Sequence, residues 1–130
     1  MRVWLVVAGL AGAFGVGFGA YGAHGFEANS YEAAIAEKSA HYALWHALAL
    51  LGCDRLTLDG KRLAHLAAGL FAAGILFFSG SLAFKALTGD LAWPLITPTG
   101  GFCLIGGWLA LVAVAIISPA ALATHRARSR

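Results

Sequence analysis

Four long apolar stretches run along the chain, separated by short polar segments. The pattern predicts membrane-crossing helices at about 3–23, 40–58, 63–87 and 99–117, with a basic tail at 119–130. Each stretch is close to the roughly 20 residues that a helix needs to cross a bilayer core. The first carries no charge after Arg2, and its glycines Gly9, Gly12, Gly15, Gly19 and Gly22 recur at steps of three or four. That spacing lays them along one helical face. In a membrane, small residues let a neighbouring backbone approach closely, so the stripe is read as a helix-packing surface, within the molecule or in a homodimer. Asn29 and Glu32 have capping-box spacing, which predicts a short helix from about Ser30 lying at the interface before the second span. Gly89, Pro94 and Pro98 break the chain between spans three and four, and Ser118-Pro119 ends the fourth.

The charges orient this pattern. Of nine Lys and Arg residues, seven (Arg2; Arg55, Lys61, Arg62; Arg126, Arg128, Arg130) fall on one side of the four spans. Only Lys38 and Lys85 fall on the other. Cytoplasmic connections of membrane proteins carry such an excess of Lys and Arg. The expected class is therefore all-α: a single four-helix transmembrane bundle with both termini in the cytoplasm. The N-terminus also resembles a signal peptide, with Arg2 ahead of an apolar run and small residues after it. The charge alternation, however, requires this helix to be retained.

Composition agrees. The chain is 60% hydrophobic and 12% charged over 130 residues, with mean hydropathy +0.78. Soluble domains carry about 25% charged residues. The net charge of +3 comes from short clusters beside apolar spans, as in juxtamembrane anchors that meet anionic headgroups. No basic face with interleaved aromatics is present, so a nucleic-acid partner is not expected. Cys53 and Cys103 are placed at opposite membrane faces, too far apart for a disulfide.

Polar residues inside a bilayer are costly, so each needs a reason. With the orientation above, His24, Tyr42, His46, Ser79, Ser81 and Thr97 fall in the outer half of the bundle and form a candidate polar cluster. The inner half reads as hydrocarbon and glycine. Trp4 and Trp93 fit opposite interfaces, while Trp108 lies nearer mid-membrane, where its indole N–H needs a partner. Three readings of the cluster stand. His24, His41 and His46 with Glu27 or Glu37 are ligand types for zinc, copper or haem, but His41 and His46 lie about 140° apart around a helix. A proton or solute path through His46 lacks titratable groups in the inner half. The structural reading has His24 and His46 bonding to Ser, Thr or backbone groups and holding helix register. No metal centre, cofactor or catalytic residue is expected; Ser79-Gly80-Ser81 is not a nucleophile elbow.

Several segments together resemble a known family. They are Gly22-Ala23-His24-Gly25, Tyr42 with His46-Ala47-Leu48, Phe78-Ser79-Gly80-Ser81-Leu82, Thr97-Pro98 with Gly100-Gly101, and Gly106-Gly107-Trp108. In this order and separation they are similar to the domain of unknown function 423 family of small four-span membrane proteins. The resemblance covers about residues 3–118. It implies a multi-pass helical protein of the bacterial inner membrane, without an established activity, cofactor or substrate. His24 and His46 fall on motif positions and His41 does not, which weakens a three-histidine site. The expectation is a non-enzymatic structural or partner-interaction protein with an outer polar cleft. Its partners would be membrane lipids, another membrane protein or a second copy. The alternative is binding or transport of a metal, haem or small solute through His24 and His46.

Overall fold

The computed structural model describes residues 1–91 and 93–117. Four helices account for most of them: α1 (Val3–Gly25), α2 (Tyr31–Leu58), α3 (Leu63–Thr88) and α4 (Ile96–Ile117). A helix covers each predicted stretch with longer bounds, and α4 begins three residues before the predicted Thr99. The basic tail and the Ser118-Pro119 stop lie outside the described residues.

The start of α2 departs from expectation. Ser30, not Asn29, caps the helix: its Oγ accepts the Ala33 N–H at 3.1 Å. Asn29 instead adopts φ 62°, the left-handed conformation that Asn tolerates better than most residues. No separate interfacial helix precedes the span. No glycine or proline interrupts residues 31–51, so one helix runs unbroken for 28 residues. At the same end of the molecule as the start of α2, Gly89 closes α3 in the left-handed conformation at φ 81°.

The interior is built from small side chains. Ala8 and Ala11 of α1, Ala43, Ala47 and Cys53 of α2, and Ala67 and Ala68 of α3 are all buried, joined by Leu50, Phe71 and Leu104. Large apolar residues point outward instead: Leu10, Leu48, Leu76, Phe102 and Ile116 are each about two-thirds or more exposed. Soluble proteins do not leave so much contiguous apolar surface to water. Lipid tails accept it, and small interior residues then let the helices approach. Helices α1, α3 and α4 are long and apolar enough to cross a membrane. Helix α2 does not reach that hydropathy. It packs extensively against both α1 and α3, while α4 packs mainly on α3.

The glycine stripe is largely where its spacing puts it, with one correction. A Cβ on Gly15 would stand 3.0 Å from the Ala40 carbonyl oxygen, one on Gly19 3.3 Å from Ala40 Cβ, and one on Gly22 3.1 Å from Ala36 Cβ. Gly12 faces Ala47 at 4.0 Å, but Gly9 has nothing within 4 Å. At 100° per residue the contact face continues through Ala11 and Ala8, and Gly9 turns away from it. The α3–α4 contact is closer still. A Cβ on Gly100 would press on the Phe77–Phe78 backbone, and one on Gly107 would stand 2.6 Å from the Phe71 ring.

Candidate functional site: polar seams between the helices

Helix α3 is not α-helical throughout. Between Leu63–Gly74 and Gly80–Thr88 it makes one π turn, Ile75–Ser79, in which the Gly80 N–H reaches back to the Ile75 carbonyl. Such a widened turn inserts one residue and re-aims the side chains around it. Polar residues of α2 and α4 converge here. Ser39 Oγ of α2 donates to the Ser79 carbonyl at 2.7 Å. Ser81 Oγ donates to the Phe78 carbonyl at 3.0 Å and lies 2.6 Å from Thr97 Oγ1 of α4. The Tyr42 ring packs on Phe78 at 4.6 Å between centroids. Gly100 meets the same turn through its bare backbone.

Deeper in the molecule, His46 joins α2 to α4. Its Nδ1 lies 2.7 Å from the Tyr42 carbonyl, and its Nε2 accepts the Trp108 indole N–H at 3.2 Å. A carbonyl only accepts and an indole only donates, so the tautomer follows: Nδ1 carries the proton and Nε2 the lone pair. Phe71 of α3 packs against both rings, 5.5 Å from His46 and 5.1 Å from Trp108. His46 is 5% exposed and both nitrogens are engaged. A metal ligand needs one free lone pair, and a relay needs an exchangeable partner; neither nitrogen is spare in this arrangement.

The predicted cluster is therefore divided. Tyr42 and His46 belong to one seam, Ser81 and Thr97 to another, and Ser79 is buried with a hydroxyl that has no partner among the described residues. His24 is exposed at the end of α1, and no hydrogen bond among the described residues joins it to the others. His41 is also outward, stacked on Trp45 at 5.7 Å. Ser39 and Trp108 complete the seams. Ser39 was legible, since Ser39, His46 and Cys53 are seven apart and share the face that carries Ala43 and Leu50.

The opposite end corrects the expectation of plain hydrocarbon. Asp54 is buried there. It sits in the last turns of α2, 2% exposed, and Arg2 donates to its Oδ2 from Nε at 3.0 Å and again from Nη2. Beside the pair, the Trp4 indole N–H donates to His65 Nδ1 at 2.9 Å. These contacts tie the start of α1 to the end of α2 and the start of α3. They surround a recess of about 480 Å³. At the other end, Lys85 lies over the Tyr31 ring, 5.1 Å from its centroid, tying α3 back to the start of α2.

A groove of about 830 Å³ runs between α1 and the first half of α2. Glu37 and His41 stand on its rim, 4.0 Å apart. Among the described residues no group of three or more His, Cys, Asp or Glu is placed to hold a metal ion.

Residues 18–101 match the family described as "Protein of unknown function (DUF423)". The chain belongs to the DUF423 family. The matched segment takes in the last third of α1, all of α2 and α3 and the start of α4. It includes Ser39, His46 and the π turn; Arg2 and Trp108 lie beyond it. DUF423 relatives align further. The chain is 40% identical over 114 residues to the UPF0382 membrane protein SERP0230 of Staphylococcus epidermidis, covering 86% of this chain and 93% of the relative. It is 32% identical over 120 residues to the UPF0382 membrane protein YwdK of Bacillus subtilis, covering 89% and 98%. A UPF0382 membrane protein of Haemophilus influenzae is 34% identical over 113 residues, covering 83% and 89%. No solved structure matches the chain. Membrane-protein relatives from bacteria agree with the outward-facing apolar surface: this is an integral membrane protein of a bacterial DUF423 type.

Proposed function

We propose that this chain is a non-enzymatic, four-span bundle of the bacterial inner membrane, with both termini in the cytoplasm. Its internal polar groups hold the helices in register. Its outer cleft receives a partner within the membrane. The observation that carries this reading is the saturated state of His46. This buried histidine spends Nδ1 on the Tyr42 carbonyl of its own helix and Nε2 on Trp108 of α4, so neither nitrogen is left for chemistry.

Helix α2 serves as the fourth span in this reading despite its lower hydropathy. A helix packed on both flanks presents fewer residues to lipid, so Ser39, His46 and Asp54 turn toward protein. At 1.5 Å per residue its length is about 42 Å, enough for a ~30 Å core with a turn beyond each face. Arg2, Arg55, Lys61 and Arg62 then share the cytoplasmic side. The cleft of this proposal is the groove between α1 and α2, not the His46 and Ser81 seams, which are closed by their own hydrogen bonds.

Two measurements test the reading. Metal analysis and visible absorption of the purified protein should give neither stoichiometric metal nor a Soret band; either signal overturns the structural role of His46. With the native cysteines replaced, an impermeant thiol reagent on intact cells should label Asp90→Cys and leave Asp59→Cys unmodified. The reverse pattern overturns the topology.

A further inference from the structure

We propose that the groove between α1 and the first half of α2 binds a phospholipid with a primary-amine headgroup. This rests on the topology above, which puts the groove in the outer half of the membrane. Its lining comes from α1, the connection after it and α2, with no residue of α3 or α4. It therefore opens sideways, away from the rest of the protein and toward lipid.

The floor is bare of bulky side chains: Gly15, Gly19 and Ala40 line it, with Val16 and Leu44 as apolar walls. From Ala33 to Leu44 the slot follows α2 for about 16 Å at 1.5 Å per residue. That shape takes an extended acyl chain. The upper rim is acidic. Glu37 stands on it with a side chain 70% exposed, and its ion-pair contact is with His41, which carries charge only when protonated. On the same side of the membrane Glu27, Glu32 and Asp90, with Glu37, outnumber Lys38 and Lys85. A carboxylate at the edge of a bilayer calls for a cation. A primary ammonium brings a positive charge and three N–H donors. A quaternary choline head brings the charge without the donors, and an anionic head is repelled.

A second copy fits less well. A symmetric dimer through this groove would bring the acidic rims of the two copies together near its axis, where like charges repel strongly at low dielectric. The amine lipid supplies the complementary charge that the second copy lacks.

Native mass spectrometry of the full-length protein in detergent, with phosphatidylethanolamine, phosphatidylcholine and phosphatidylglycerol of matched chains, tests the site. The amine lipid should be retained over the choline lipid by about fivefold, the scale of one partly exposed ion pair. Glu37→Gln should remove that preference without lowering the melting temperature. Ala34→Leu, on the groove wall, should reduce retention of all three lipids. Equal retention of the amine and choline lipids, preference for the glycerol lipid, an unchanged preference in Glu37→Gln, or a lipid-free dimer would overturn the proposal. Failure of the topology is separable. If Asp90→Cys labels only from the cytoplasm while the amine preference persists, the orientation falls and the site remains.

Discussion

Replacing Arg2 should destabilise this protein far more than replacing Asp54, although the two form one ion pair. The asymmetry comes from their surroundings. The Asp54 side chain is 4% exposed and that of Arg2 is 52% exposed. Arg2→Ala strands a buried carboxylate, and breaking a fully buried pair from one side costs about 3–5 kcal/mol. Here half the cation is already solvated, and the adjoining recess admits water once the guanidinium is gone. The expected loss is therefore lower, about 2–3 kcal/mol. Asp54→Asn leaves only Arg2 without its partner, and a half-exposed Arg extends its head to water or lipid phosphate. That loss should stay below about 1 kcal/mol, as for exposed pairs. The double variant has no stranded charge and should fall near Asp54→Asn alone. The resulting coupling of about 2 kcal/mol is roughly a 30-fold change in the folded-to-unfolded ratio. Equilibrium unfolding of the detergent-solubilised protein measures all four species, with Trp4 beside the pair as a local fluorophore. Asp54→Asn as damaging as Arg2→Ala, or losses that simply add in the double variant, would refute the argument from burial.

Glycine contacts make a second test. Gly100→Ala forces a Cβ against the Phe77–Phe78 backbone and should cost about 1–3 kcal/mol, the range for overpacking. Gly9→Ala meets open space and should leave the melting temperature unchanged or slightly higher; similar losses at both sites would deny that α3–α4 contact sets the fold. Ser39→Ala removes the bond to the Ser79 carbonyl and should cost about 0.6 kcal/mol, the mean for interhelical hydrogen bonds in membranes. A loss above about 2 kcal/mol would assign Ser39 a role beyond that bond.

Much of the candidate site was present in the residue types but not in their grouping. Tyr42 and His46 share a helical face by spacing alone, so their proximity was readable. The link from His46 to Trp108 was not, because it joins residues 62 apart on helices whose rotation about their own axes is set by packing. Trp108 announced only that its N–H needed an acceptor. Ser81 and Thr97 meet because the π turn re-aims α3, and no glycine or proline within Ile75–Ser79 marks that turn. The burial of Asp54 was not legible for a related reason. A charge near a helix end reads as solvent-facing, yet Asp54 precedes the turn at Asp59–Gly60 by more than one helical turn and faces inward.

Class, helix number and the separation of charge came from one-dimensional quantities. Span length follows from bilayer thickness, and the distribution of Lys and Arg is a count along the chain. The four helices and the α1–α2 stripe follow from periodicities of the helix itself. Which seam each polar group joins was decided only by the packed structure. Membrane helices bury alanine and glycine, whose smooth surfaces permit many rotations and offsets. The chosen one is held by contacts between distant residues: Gly100 on the Phe78 backbone, Arg2 on Asp54, and Trp108 on His46. Each of those contacts fixes a helix rotation or offset that the smooth surfaces alone leave open.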